Sequence, residues 1–167
     1  YLTPAWCVRR LLERVDLPGG TWLDPCAGDG AIIRAVRSMQ RHDVTWSAVE
    51  LREECREPLR RLVPNNRILI DDFIHSSPPC YGPTSVVIGN PPYSMADDFI
   101  RRVLTNRCSR VTCFLLRLNY LAGGKRSQYW SHWAPDVYVL PNRPSFVGEG
   151  KTDSCEYAWF VWHSQEL

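Results

Sequence analysis

Apolar residues recur along this chain in two alternating rhythms. Between positions 4 and 15, Val8, Leu11, Leu12 and Val15 share one stripe of an amphipathic helix; between 29 and 40, Ile32, Ile33, Val36 and Met39 do the same. A charged stretch at 52–62, a segment at 96–106 and a shorter one at 125–133 complete the helical set. Compact apolar runs at 21–24, 44–49, 67–70, 85–89 and 111–116 read as strands, and the Val-Val-Ile run within 85–89 reads as covered on both faces. Two last runs, 137–140 and 157–162, have no helix between them and predict an antiparallel hairpin at one edge. Strand and helix otherwise alternate. The expected architecture is therefore α/β and Rossmann-like: a mostly parallel seven-stranded sheet with helices on both faces. Open sheets of this kind bind ligands beyond the carboxyl ends of their strands, so the strand-end loops are where chemistry is sought.

Composition narrows the class. The 167 residues, 44% hydrophobic and 23% charged, fit one soluble domain spanning 1–167. No apolar run approaches the roughly 20 residues that span a bilayer, and no signal peptide is visible, so no membrane partner and a cytoplasmic setting are expected. Seven scattered cysteines, with no Cys-x-x-Cys pair, support neither a zinc site nor a disulfide framework; no metal is expected. The net charge of +2 does not by itself argue for a nucleic-acid partner. Residues 1–90 hold 11 basic and 11 acidic side chains and residues 91–167 hold 9 and 7, so the whole excess lies in the second half. That excess fits an ordinary solvated surface as well as a polyanion-binding face.

Three strand ends carry a series of matched groups. The first runs into Asp24-Pro25-Cys26-Ala27-Gly28-Asp29-Gly30 and a helix, a glycine turn that lets backbone approach a ligand closely. Its spacing differs from Gly-x-Gly-x-x-Gly, which counts against a dinucleotide. The second ends at Glu50, 20 residues past Gly30, where a carboxylate can accept both hydroxyls of a ribose. The third ends in Asp71-Asp72-Phe73, offering a carboxylate to an adenine amino group and an aromatic wall to its ring. Each taken alone reads equally as a loop charge or a common turn; their order makes them a nucleoside series.

The fourth strand ends in Asn90-Pro91-Pro92-Tyr93, the most specific signal in the chain. The prolines hold the preceding residues extended and supply no competing N–H. The Asn90 side-chain oxygen and the Pro91 carbonyl then form a rigid pair of acceptors for an amino group bearing two N–H bonds, which aims the nitrogen lone pair at a methyl donor. Tyr93 can stack on a planar base or amide. The alternative is a structural Pro-Pro turn closed by a packed tyrosine.

With these residues in place the chain resembles class I methyltransferases dependent on S-adenosylmethionine, and most of all the small phage-type N6-adenine DNA methyltransferases. The resemblance covers nearly the whole chain: Thr3-Pro4 resembles the family's N-terminal element, and Asp24 to Gly30, Glu50, Asp72-Phe73 and Asn90 to Tyr93 follow in family order. It implies that Thr3, Pro4, Asp24, Pro25, Cys26, Ala27, Gly28, Gly30, Glu50, Leu51, Asp72, Phe73 and Asn90 hold S-adenosylmethionine, leaving S-adenosylhomocysteine as product, with Thr3 at the methionine end. It further implies that Asn90, Pro91, Pro92 and Tyr93 are the catalytic turn, that the target base is flipped out and stacks on Tyr93, and that an aromatic residue preceding the last hairpin, Phe146, touches that base. Phe146 equally suits a plug in the core beneath its loop.

One departure from the family matters. No segment has room for a separate target-recognition domain, so sequence specificity is expected from short loops or an oligomeric partner, or is weak. Segment 118–129 with Arg117, Lys125 and Arg126, and segment 141–153 with Arg143 and Lys151, are the expected phosphate contacts, and read equally as mobile surface loops. The expected partner is nucleic acid, DNA first. The same tetrapeptide also serves methylation of RNA amino groups and of protein glutamine, and a cofactor-binding subunit without catalysis is the reading from another class.

Overall fold

The computed structural model describes residues 2–76, 84–124, 126–146 and 152–164, with the backbone alone at 128 and 129. Among the described residues seven strands, β1 (Gly20–Asp24), β2 (Val44–Glu50), β3 (Ile68–Ile70), β4 (Thr84–Gly89), β5 (Ser109–Arg117), β6 (Asp136–Val139) and β7 (Tyr157–His163), form one sheet in the order β3-β2-β1-β4-β5-β7-β6. The first five run parallel to one another; β7 is antiparallel to both β5 and β6. The closing pair is thus a hairpin whose second strand is the inner one. The expected Rossmann-like sheet with an antiparallel edge is the fold.

Side chains alternate across the sheet with the period of two that pleating demands. Val86 and Ile88 of β4, Cys113 and Leu115 of β5, and Trp159 and Val161 of β7 face one core, with α1 (Ala5–Leu12) and α2 (Ala31–Ser38) packed over it. Val87, Phe114, Leu116, Phe160 and Trp162 face the other, covered by α4 (Ala96–Thr105) through Phe99, Ile100 and Val103. Two covered faces explain why the central strands read as unbroken apolar runs.

Helix lengths depart from the periodicity for local reasons. α2 begins only after Gly30, whose φ of 89° is not helical, and the chain leaves it at Gln40, φ 59°. The stretch expected as one helix at 52–62 is a 3₁₀ turn, Glu53–Cys55, followed by a short α3 (Arg56–Arg60). Pro58 explains the break: without an N–H it is tolerated only in a helix's first turn. The last expected helix shrinks to α5 (Ser127–Trp130).

The chain leaves β1 for β2 and β3 on one side, then returns to β4 on the other. That reversal lies between β1 and β4, and it opens a crevice at their carboxyl ends. The strand ends carrying Asp24 and Asn90 are therefore neighbours. Among the described residues no helix is long and apolar enough to cross a membrane.

Candidate active site

Close packing brings the glycine turn and the Asn90 turn together. A Cβ on Gly89 would lie 3.1 Å from Cys26 Sγ and 3.2 Å from Pro25 Cδ, so the last residue of β4 presses directly on the turn after β1. Within the turn, Gly30 is left-handed, and a Cβ there would meet Leu62 Cδ1 at 2.4 Å; only glycine fits without strain.

Below the turn lies Asp24, 1% exposed. One carboxylate oxygen accepts from the Cys26 N–H at 3.2 Å, and the other has no partner among the described residues. Burial pushes its pKa up to about 7; the Cys26 N–H works against this and the nearby Glu50 charge adds to it. A buried carboxylate with one unmet oxygen is suited to a cationic group brought by a ligand. Burial also raises the neighbouring Cys26 thiol well above its usual value, so it stays protonated.

Glu50 is 6% exposed at the end of β2. Its Oε2 accepts from the Gly28 N–H at 2.7 Å, and its Oε1 accepts from the Arg52 N–H at 3.1 Å and from Arg52 Nε at 2.8 Å. The carboxylate is thereby fixed at the mouth of the turn. Next to it Leu51 is 68% exposed, an apolar side chain left uncovered beside a polar floor. After β3, Asp72 closes an Asx turn on the Ile74 N–H at 2.8 Å and pairs with His75 Nδ1 at 2.8 Å. His75 holds the Asp72 carboxyl below its ordinary range. Phe73 is buried and stacks on Phe99 at 5.2 Å.

Asn90 is held at both ends of its amide. Nδ2 donates to Thr3 Oγ1 at 3.1 Å, and Oδ1 accepts from the Tyr93 hydroxyl at 3.3 Å. The Pro92 carbonyl accepts from Met95 N–H, so the carbonyl the turn can still offer is that of Pro91. Pro91 is buried and Pro92 exposed. Tyr93 carries the Arg117 guanidinium over its ring at 4.8 Å and leans on Tyr157 at 5.5 Å. Burial is the main reason its phenol stays protonated far beyond the usual range.

A cleft of about 570 Å³ joins these groups, lined by Pro25, Cys26, Gly28, Glu50, Leu51, Arg52, Asp71, Asp72, Phe73, Phe99 and the run from Asn90 to Met95. That volume is in the range of a small-molecule site. A second hollow of about 410 Å³ shares Tyr93 and Ser94 and continues past Arg117, Asn119, Tyr120 and Arg126. The two meet at the Tyr93 turn.

Most of the expected cofactor residues thus converge, with exceptions in detail. Thr3 lies against Asn90 and does not line the cleft, and neither do Asp24 and Gly30, which sit beneath and behind its glycine turn; Pro4 is the N-cap of α1. Ala27 is buried in the core beneath the turn. Phe146, a candidate for the target base, is 5% exposed and packs edge-on against Tyr157 at 5.1 Å, and its carbonyl accepts from the Leu2 N–H. In this conformation it is a core plug, the other role open to it, packed in the cluster that holds Tyr157 and Trp159. Arg117 donates to the Tyr157 hydroxyl at 3.1 Å and approaches Asp153 at 3.4 Å, so it is built into the wall of the site. Arg143 forms an exposed pair with Glu156. Lys125 and Lys151 lie outside the described residues.

Arg52, Ser94, Met95 and Phe99 were not anticipated. Arg52 could have been found as the cation beside Glu50. Phe99 could not, since it carries the same apolar signal as the rest of the α4 stripe. Arg102 was missed too: it donates to the Ile74 and Ser76 carbonyls at 2.5 and 2.6 Å and covers Phe73 at 5.3 Å, anchoring the loop after β3.

No protein-family model matches the chain, and no characterised protein matches it by sequence. Solved structures do match it in fold. The methyltransferase subunit of a type I restriction-modification system from Streptococcus thermophilus is 22% identical, with a TM-score of 0.66 over 98% of this chain and 43% of that one. The 23S rRNA methyltransferase ErmE is 16% identical, with a TM-score of 0.68 over 99% of this chain and 70% of that one. A dimethyladenosine transferase from Plasmodium falciparum is 11% identical, with a TM-score of 0.65 over 98% and 63%. The chain therefore shares the fold of class I methyltransferases, and it spans less than half the length of the restriction-modification subunit.

Proposed function

We propose that this protein transfers a methyl group from S-adenosylmethionine to an exocyclic amino group, that of adenine N6 in DNA. The observation that carries the reading is the seat of Asn90: a side-chain amide, anchored at both ends, in the same cleft as Gly28, Glu50 and Leu51. The residues fit the cofactor. Glu50 suits the ribose hydroxyls, Leu51 and Phe73 the faces of an adenine, Asp71 or Asp72 its amino group, and the unmet oxygen of Asp24 the α-ammonium. Bound there, S-adenosylmethionine would supply a sulfonium-activated methyl group.

The chain's own task is to bind and aim. The Asn90 side-chain oxygen and the Pro91 carbonyl accept the two N–H bonds of the acceptor amine, which turns its lone pair toward the methyl carbon. With the donor bound, the nitrogen–carbon bond would form as the donor's carbon–sulfur bond breaks, and the nitrogen would shed one proton to solvent. No nucleophile from the protein is needed, in keeping with the protonated Cys26 thiol. The hollow beyond Tyr93 is the acceptor side, and a flipped base would enter it from the nucleic acid. Its two cations are already paired, Arg117 with Asp153 and Arg126 with Asp97, so its charge does not choose between a nucleic acid and a peptide. DNA is favoured because the Asp-Pro opening of the glycine turn and the Thr3-Pro4 element follow the adenine DNA pattern. Two of the similar structures bear the names of an rRNA methyltransferase and a dimethyladenosine transferase, which keeps RNA adenine as the second reading. Incubation with tritiated S-adenosylmethionine and pools of DNA, RNA and protein separates these. Label in DNA recovered as N6-methyladenine is expected; label in protein alone would end the proposal.

A further inference from the structure

The geometry points to Thr3 as a positioning residue for the Asn90 amide, an inference that rests on the amino-methyl transfer proposed above and deepens it. Thr3 is 6% exposed and its hydroxyl oxygen accepts from Asn90 Nδ2 at 3.1 Å, across 87 positions of sequence. It does not line the cofactor cleft, so the methionine-end contact that the resemblance implies is not where its side chain points. The segment bearing it is rigid. Pro4 holds Thr3 extended, the Leu2 N–H is fixed on the Phe146 carbonyl at 3.2 Å, and α1 begins at once. That helix is buried through Cys7, Val8 and Leu11, and the Cys7 carbonyl accepts from Trp159 Nε1 at 2.8 Å.

An amide has chemically opposite ends. Transfer requires the Asn90 oxygen, not its NH2, to face the acceptor amine. The Thr3 oxygen offers lone pairs to Nδ2 on one side, and the Tyr93 hydroxyl occupies Oδ1 on the other until the acceptor amine takes its place. Without the Thr3 hydroxyl the Nδ2 end loses its partner, and the amide is free to rotate and present the wrong end.

Thr3→Val keeps the shape and removes the hydroxyl. The expected result is a kcat lowered roughly tenfold or more, the scale set by one unmet hydrogen bond, with the dissociation constant for S-adenosylhomocysteine changed less than about twofold. Thr3→Ser restores most of the rate. Rates are expressed per S-adenosylhomocysteine-binding site, so partial unfolding is not read as slower chemistry. In an Asn90→Ser background, too short to reach Thr3, adding Thr3→Val costs nothing further if the hydroxyl acts only through the amide. Weakened S-adenosylhomocysteine binding at unchanged kcat would return Thr3 to the cofactor and overturn the inference. Effects that multiply in the double variant, or a serine that fails to rescue, would overturn it too. A wild-type protein that binds no S-adenosylhomocysteine and labels no acceptor would instead defeat the proposed function itself.

Discussion

Replacing Asp24 by asparagine removes one titrating group from beneath the glycine turn and leaves its shape almost unchanged. In the folded protein the carboxyl is 1% exposed and titrates near 7, against 3.8 for an unhindered aspartate. The folded state therefore holds a proton that the unfolded chain has already lost between those values, and stability falls as pH rises through that window. The slope approaches about 1.36 kcal/mol per pH unit in the middle of the window and halves at pH 7, so this group alone lowers stability by about 2 kcal/mol between pH 5 and 7, with a ceiling of about 4 kcal/mol above pH 7. Asp24→Asn abolishes that slope. Urea denaturation at pH 5, 6, 7 and 8 measures it directly. Ligand binding runs the other way. If the α-ammonium of S-adenosylhomocysteine pairs with ionised Asp24, binding below pH 7 must expel the proton, and affinity weakens up to about tenfold for each unit of acidification. In Asp24→Asn that proton-linked loss disappears and affinity is poor throughout. Identical stability slopes for wild type and variant over pH 5–8 would refute the assignment of a displaced titration to Asp24.

Three other outcomes follow from the same geometry. Asn90→Ala and Tyr93→Ala lower methyl transfer far more than S-adenosylhomocysteine binding, and equal losses in the two assays would contradict their roles. Leu51→Ala weakens S-adenosylhomocysteine by roughly fivefold, about 1 kcal/mol of apolar contact, while calorimetric stability stays within about 0.5 kcal/mol because the side chain is exposed without ligand. Gly30→Ala costs about 2 kcal/mol in urea denaturation, from a left-handed backbone and a Cβ driven into Leu62; a change below about 0.5 kcal/mol would show that the turn relaxes.

The strands, their closing hairpin and the strand-end rim were legible because their signals are local. Apolar runs of four to six residues can be read directly, and the strand-end rule then places Asp24, Glu50 and Asn90 on one rim. Pro58 was equally visible, yet the charged stripe around it dominated the reading of 52–62. What could not be read depends on pairing across distance. Nothing near Thr3 says that its hydroxyl meets Asn90, and nothing near Phe146 decides between a base and the Tyr157 ring. Arg117 illustrates the same limit. Its charge suggested a phosphate, but the folded chain surrounds it with Tyr93, Tyr157 and Asp153, contributed by β7 and two other segments. A cation's partners are a property of topology, which composition does not encode.

The account turns on where the methyl donor lies. A crystal structure with S-adenosylhomocysteine bound tests that most directly. The ribose hydroxyls should rest on Glu50, the adenine between Leu51 and Phe73, and the sulfur should face the Asn90 amide. A nucleoside bound elsewhere, or reversed so that its adenine occupies the Asn90 turn, would contradict it.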